Sequence, residues 1–345
     1  MRLRVVAAAI GIVTCVSGAG LVSQAQRQMP PAWPYGMPQL PPGEVPEQVP
    51  AQRTPPYRAP TPPAPGAPPP VLLQAAGSTL QFTQQQVGNS YGPADWFPDS
   101  HPPMPEIVSH GKPDQARACG LCHLPDGRGR PENAPVQGLP YDYIVQTLRD
   151  FRLGLRHSAD PRKANTGEME NIAKALTDQE IDQAARYFSS IKVPKYIRVV
   201  ETETVPTMRI QGEIYFPTDD GAREPIGVRI METPEDPAQT RMRNPKSGFI
   251  AYAPIGSVKR GEALATTGGG GRTTPCAVCH GVGLKGLGSI PNIAGRSPSY
   301  LARQMYDIKI GTRRGPMAAL MTPVVANLSD SDIVDVIAYV SSLEP

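Results

Sequence analysis

The chain has 345 residues, with 34 Lys and Arg against 31 Asp and Glu, a formal net charge of +3, and 39% hydrophobic residues. So even a balance excludes the basic face that nucleic acid requires, and no apolar run beyond the N-terminus is long enough to span a bilayer. The length allows two domains with additional structure, and only five cysteines exclude a disulfide-dense scaffold.

Residues 1–25 have the make-up of a secretory leader. Arg2 and Arg4 precede a short apolar run, Val5 to Val16, and Ser23-Gln24-Ala25 has the small-x-small pattern of a cleavage site. Cys15 sits in only a loose likeness of a lipoprotein cleavage site. Removing the leader takes the formal charge from +3 to +1, because Arg2 and Arg4 leave with it. The expected location is periplasmic, either soluble or peripherally membrane-associated. Residues 26–85 follow as an arm: 17 of the 41 residues from Pro30 to Pro70 are proline. That composition predicts a disordered, extended spacer, with docking or tethering as the sharper alternative.

Next come two pentapeptides of one pattern, Cys119-Gly-Leu-Cys122-His123 and Cys276-Ala-Val-Cys279-His280. Each is C-x-x-C-H, the attachment signature of a c-type haem. Two thiols three residues apart share one side of a helical turn. Each can join a haem vinyl group as a thioether, and the adjacent imidazole can reach the iron. A zinc site would lack further cysteines, and a disulfide would leave the histidine unexplained in both copies. Two covalently bound haem c groups are expected.

The motifs lie 157 residues apart, and the spacing persists beyond them. Tyr143 matches Tyr300, Asp150 matches Asp307, Gly154 matches Gly311 and Arg156 matches Arg313. The offset then becomes 152, so the first copy carries five extra residues around His157 to Asn165. At that offset Met169 matches Met321, Leu176 matches Leu328, and Thr177-Asp178 matches Ser329-Asp330. Ile181, Ala184, Ala185 and Phe188 in one copy, and Ile333, Val336, Ile337 and Val340 in the other, predict closing helices that bury one face. Each opens on a capping residue with an acid three positions on, Thr177 with Glu180 and Ser329 with Asp332. The repeat therefore defines two domains, residues 86–192 and 257–345.

An iron held by one histidine has a second axial position, and a thioether there raises its potential. Met169, 46 residues after His123, and Met321, 41 after His280, are the candidates, each expected in a loop before the closing helix. Met317 competes in the second domain, and Met104 or His157 in the first; His101 and His110 read as loop histidines. Pro135 and Pro291, 12 and 11 residues after the histidines, are placed to offer a carbonyl to the imidazole, although Pro135 reads equally as a loop proline. Ile172, Leu176, Ile181 and Phe188, with Val324, Leu328, Ile333 and Val340, are wall or core candidates.

Taken together, these residues resemble the two-domain dihaem class I cytochromes c, including those called cytochrome c553, over residues 90–192 and 257–345. The resemblance implies small helical bundles around haem and one-electron transfer between redox proteins, without substrate chemistry. It implies Cys119, Cys122, Cys276 and Cys279 as haem attachments, with His123 and Met169 on one iron and His280 and Met321 on the other. Implied partners are a donor such as a dehydrogenase and an acceptor such as a terminal oxidase or another cytochrome. The expected fold is mainly α: two cytochrome c-type haem domains joined by a β-containing segment and preceded by the proline-rich arm.

Two departures from that family bear on function. Ser257 to Leu264 supplies an opening helix for the second domain, whereas the first has only a short approach from Pro105 to Ala118. Residues 193–256 carry β-branched runs, Tyr196 to Val205 and Met208 to Phe216, broken at Pro206 and Pro217, and predict strands packed on one or both haem domains. Two rival functions remain: a peroxidase-like dihaem enzyme with one open iron, and an electron-transfer subunit fixed to a dehydrogenase.

Overall fold

The computed structural model describes residues 29–345 except 42, 52, 60–63 and 65. The leader, with Cys15, lies outside the described residues.

Each haem domain is built around a one-turn motif helix and a closing helix. The first has Cys119–His123, Tyr141–Arg152, Ala164–Ala175 and Asp178–Ser189; the second has Ser257–Thr267, Ala277–His280, Pro298–Ile310, Pro316–Ala326 and Asp330–Ser342. Both closing helices start in full capping boxes, Thr177 with Glu180 and Ser329 with Asp332, which satisfy two otherwise orphaned donors at each start. Their predicted apolar stripes are buried, Ile181, Ala184, Ala185 and Phe188 in one and Ile333, Val336, Ile337 and Val340 in the other.

The domains differ at their openings, as the sequence indicated. In the second, Ser257–Thr267 packs so closely on Asp330–Ser342 that a Cβ on Gly261 would lie 1.9 Å from the Asp335 carbonyl oxygen. Only glycine fits there. The Arg260 guanidinium clamps the same pair, meeting both Asp335 oxygens at 2.8 and 2.9 Å. The first domain has a single turn, Glu106–Ser109, in the corresponding place.

The segment between the domains is β-structured. Ile197–Glu201 pairs in parallel with Phe249–Ala253, which pairs antiparallel with Met231–Pro234. Thr204–Pro206 pairs with Arg223–Pro225, and Met208–Gln211 with Ile214–Pro217. The run Met208 to Phe216 is thus a hairpin and not one strand. Gly212 and Glu213 both take positive φ, 57° and 62°, as a tight two-residue turn demands. This segment touches both haem domains. Glu232, buried, accepts from Ser297 Oγ (2.7 Å) and from the Ser299 N–H (3.0 Å), capping Pro298–Ile310. Arg243 Nη1 donates to the Leu121 carbonyl of the first motif helix at 2.5 Å.

The expectation of a disordered arm is corrected at Trp33–Tyr35, while most of the described residues from 43 to 72 are exposed and irregular. Trp33–Tyr35 form a 3-10 turn with Trp33 only 7% and Tyr35 0% exposed, and both join the core of the second domain. Tyr35 Oη donates to Asp307 at 2.9 Å, and Arg303 donates to the Pro34 carbonyl at 2.7 Å. A Cβ on Gly36 would lie 2.1 Å from the Glu213 carbonyl at the hairpin tip. Farther along, Tyr91 Oη donates to the Pro55 carbonyl at 2.6 Å. Proline cannot extend a ladder, but its carbonyl still accepts, and the two aromatics supply the buried area.

The arm's anchor is open to test. Trp33→Ala in the haem-loaded protein should cost about 3–5 kcal/mol, read as a lower denaturant midpoint. An unchanged midpoint would mean that the arm swings free.

Candidate functional site

Each domain holds an apolar, partly open cavity of about 1330 Å³ counting the open space at its mouth. Cys119, Cys122, His123, Met169, Ile172 and Leu176 are among the residues lining the first. Cys276, Cys279, His280, Met321, Val324 and Leu328 take the matching places in the second. Of the other wall candidates, Phe188 and Val340 reach the cavities, while Ile181 and Ile333 serve the core beneath.

The two histidines are held alike. His123 Nδ1 meets the Ala134 carbonyl at 2.8 Å, and His280 Nδ1 meets the Pro291 carbonyl at 2.8 Å. A carbonyl only accepts, so Nδ1 carries the proton and Nε2 keeps its lone pair. Burial lowers both imidazole pKa values and so favours the neutral form that binds a metal. The acceptor is 11 residues after the histidine in both copies, so Pro291 is the residue the sequence pointed to and Ala134, not Pro135, is its partner in the repeat. The Pro135 carbonyl instead accepts from Arg296 across the domain boundary at 3.1 Å. Burial also pushes the Cys119 thiol up to about 12 and those of Cys122 and Cys276 up to about 11.

Both methionines lie on helices and not in loops: Met169 within Ala164–Ala175, Met321 within Pro316–Ala326. The second helix opens with proline at its first position and runs through Met317-Ala-Ala-Leu-Met321, all strong helix formers, despite Pro323 inside it. Met317, one turn before Met321, lines the same cavity. Of the competitors in the first domain, Met104 lies outside the lining. His157 lines the cavity with both nitrogens engaged, Nδ1 with Glu170 at 2.7 Å and Nε2 with the Gly154 carbonyl at 2.8 Å.

Leu139, Tyr143, Tyr300 and Gln304 line both cavities, so the two share a wall. Tyr143 and Tyr300 in that wall are matched repeat positions. Backbone at Arg156 and Arg313 pairs antiparallel across the boundary. Arg313 Nη2 donates to Tyr143 Oη at 2.9 Å, Arg156 Nη2 approaches Tyr300 Oη at 3.5 Å, and both guanidiniums donate to Gln304 Oε1 at 2.8 Å. The sequence showed these pairs as a repeat, but not that each arginine serves the other domain's tyrosine.

The arrangement fits haem. Both arginines are buried, their side-chain hydrogen bonds go to Tyr143, Tyr300 and Gln304, and Arg313 Nε has no hydrogen-bond partner among the described residues. Burial alone would raise the Tyr143 phenol, yet the Arg313 and Arg156 guanidiniums outweigh it and hold it below the usual phenol range. Such a pair calls for anions beside it, and haem propionates are anions at the polar edge of an otherwise apolar disc. The thiols, the neutral imidazoles and the apolar walls suit the rest of the macrocycle.

The fold and site are those of a dihaem c-type cytochrome. The family model for cytochrome c matches residues 258–344. A cytochrome c4 of Pseudomonas aeruginosa is 39% identical over 234 residues, 66% of this chain and 85% of that protein. A cytochrome c-554(548) of Halomonas halodenitrificans is 47% identical over 70 residues, 20% of this chain and 84% of its own length. A thiosulfate dehydrogenase electron acceptor of Thiomonas intermedia is 26% identical over 223 residues, 64% of this chain and 75% of that protein. The chain belongs to the cytochrome c4 family of dihaem class I cytochromes, and it carries covalently bound haem c.

The domain boundary should titrate. Burial pushes the Asp307 carboxyl up to about 6, against the Ala159 N–H and Tyr35 Oη bonds that pull it down. A carboxyl raised above its ordinary 3.8 destabilises the fold above its folded pKa and is relieved as pH falls toward the ordinary value. Wild type should therefore gain on the order of 1–3 kcal/mol from this group on acidification through that window. Asp307→Asn should lack that gain, as seen by comparing denaturant midpoints of the two loaded proteins at both ends of it. Parallel pH responses would show that Asp307 does not change charge there.

Proposed function

We propose that the protein is an exported, periplasmic carrier of single electrons whose two irons are each held between histidine and methionine. His123 and Met169 would hold one iron and His280 and Met321 the other, with Cys119, Cys122, Cys276 and Cys279 as the covalent anchors. When bound, the haem iron gains and loses one electron. The observation that carries this reading is the duplication: in each cavity a histidine pinned by a carbonyl 11 residues on shares the lining with a methionine at the matched repeat position.

The residues around these ligands suit a carrier. The half-buried methionines sit on packed helices, Met169 against the first core and Met321 against Ile308, Ala318 and Val325. Held there, they would serve as the second ligand of each iron in both oxidation states, which would limit reorganisation and raise the potential. The apolar walls keep water from the irons. Relatives named as thiosulfate dehydrogenase electron acceptors support a dehydrogenase as donor, and a terminal oxidase or another cytochrome would serve as acceptor. The peroxidase-like alternative needs one iron without a sixth protein ligand, and Met169 in the wall of the first cavity speaks against it.

Spectra of the purified loaded protein test the ligands. Wild type should show two low-spin haems, a methionine-to-iron charge-transfer band when oxidised, and no binding of carbon monoxide when reduced. Met169→Ala and Met321→Ala should each lose about half of that band, lower one potential and open one iron to carbon monoxide, while Met317→Ala should do none of these. Carbon monoxide binding by wild type would instead make the enzyme the better reading.

A further inference from the structure

The helix that carries Met169 is held from outside its own domain. Ala164–Ala175 starts without a side-chain cap and without an acidic residue in its first turn, and only Ala164, Glu168, Ile172 and Ala173 along it are buried. Its counterpart in the repeat, Pro316–Ala326, opens on a proline and packs Ala318 and Val325 with Ile308 of its own domain. Other parts of the chain converge on the weaker start. Lys163 pairs with Glu213 at the hairpin tip, Arg162 Nη1 donates to the Pro38 carbonyl at 2.8 Å, and the Val49 N–H donates to the Pro161 carbonyl at 3.1 Å. Pro161, Arg162 and Lys163 all belong to the stretch in which the first copy carries its extra residues.

The arm then crosses the helix itself. Ala51 lies against Gly167, where a Cβ would come within 2.8 Å of the Ala51 Cβ, so a side chain there would collide with the arm. At the matched position of the second domain stands Ala319, which is exposed. Next along the arm, the Arg53 carbonyl accepts from Arg117 Nη2 at 3.4 Å, and Arg117 Nε meets Glu168 at 2.8 Å. Arg117, Glu168 and Met169 all line the first cavity. Past the helix, the Tyr57 N–H donates to Asp114 at 2.7 Å, and its ring stands edge-on to Tyr91 at 5.6 Å.

The arm is fixed at both ends, by Trp33–Tyr35 in the core and by Leu72–Leu73 paired with Phe82–Thr83. Its prolines reduce the entropy lost in lying across the domain, because an extended proline-rich chain is already stiff. Mostly exposed, the crossing buries little apolar area, so general stabilisation does not account for it. Its contacts fall instead on Pro161, Arg162 and Gly167, and through Arg117 on Glu168, all within the eight residues before Met169.

We infer that the proline-rich arm is a positioning strap for the first axial ligand: the backbone around Val49, Ala51 and Arg53 holds down the start of Ala164–Ala175 and so keeps the Met169 sulfur in the cavity wall. The inference rests on the ligand reading above and adds what holds that ligand in place. The arm acts only through Met169 and touches no reacting atom. Met321 needs no strap, since its helix packs on its own domain. Lifting the arm leaves the motif helix and the closing helix of the first domain in place and frees one axial position. The arm therefore sets whether the first site is closed, as a carrier requires, or open to an added ligand.

The test uses the full mature protein with both haems, in a Met321→Ala background, where the remaining methionine-to-iron band belongs to the first iron. In that background Gly167→Ala should lose about half or more of the band and raise the carbon monoxide bound by the reduced protein from one per chain toward two. Ala51→Gly added to Gly167→Ala removes the colliding carbon and should restore both readings. Val49→Pro, on the exposed arm, deletes the N–H that reaches Pro161 while keeping the chain extended, and should weaken the band in the same direction. Without a strap the sign reverses, because alanine favours a helix over glycine and would steady the Met169 helix. A band that Gly167→Ala leaves unchanged or strengthens, or a loss that Ala51→Gly does not rescue, would overturn the inference. The background itself separates the two levels. No band in Met321→Ala alone means that Met169 holds no iron, which sinks the ligand reading and the strap together. A band present there and indifferent to Gly167→Ala and Val49→Pro sinks the strap alone.

Discussion

Arg156 and Arg313 lie 157 residues apart in the chain and side by side in the structure, on backbone segments that pair antiparallel. Each reaches into the other domain to a tyrosine, and they share Gln304 between them. Burying a guanidinium costs several kcal/mol unless charge or good hydrogen bonds offset it. Here Tyr143, Tyr300 and Gln304 supply hydrogen bonds and the nearby Asp307 carboxyl supplies charge, and haem propionates at the cavity edges would add to that compensation. Docking of the domains and binding of the cofactor are then linked: each makes the other less costly. The same linkage explains why small domains of this size can rely on a prosthetic group for much of their core.

Around that exchange the two-fold repeat is broken, always by added structure. The Trp33–Tyr35 turn bonds to Asp307, while its repeat partner Asp150 takes its bond from Gln146 within its own helix. The hairpin tip at Glu213 pairs with Lys163, whose side chain is almost wholly buried, and abuts Gly36 of the arm. Glu232 caps the second domain's tyrosine helix, and Arg243 ties down the first domain's motif helix. The first domain lacks a full opening helix, and segments from before and after it close the gap. Two similar units therefore acquire different surroundings without any change in the Cys, His and Met pattern that lines their cavities.

Much of this was legible in the residues because haem attachment and helix capping are local codes. C-x-x-C-H fixes a thiol–thiol–imidazole geometry within one turn, and Thr177 to Glu180 is read within four residues. The matched methionines were found because a repeat at fixed offset lifts single residues above background. The misreadings share one physical cause, which is that tertiary contacts override local signals. Prolines in the arm denied it a regular element but not burial, since Trp33 and Tyr35 find a cleft that only the assembled domains provide. Proline is the visible cue for the carbonyl facing His123, though Pro135 reads equally as a loop proline; Ala134 serves through a backbone atom that no side-chain pattern marks. The role of Arg156 and Arg313 was invisible for a further reason. A repeat shows which positions are equivalent, not that equivalents exchange partners.

The shared wall gives the asymmetry its functional meaning. Leu139, Tyr143, Tyr300 and Gln304 form a single layer of side chains between the cavities, so a charge on either side needs to cross only that layer to reach the other. Covering the first motif face adds buried area that the second motif face lacks. The polar members of the layer also mean that a change of charge in one cavity is felt in the other, since both guanidiniums bond to the same Gln304 oxygen. A single hydrogen-bonded cluster thus holds the domains together and would offer countercharge to a haem on either side. That combination explains why the repeat keeps Tyr, Asp, Gly and Arg in register there while the motif faces diverge.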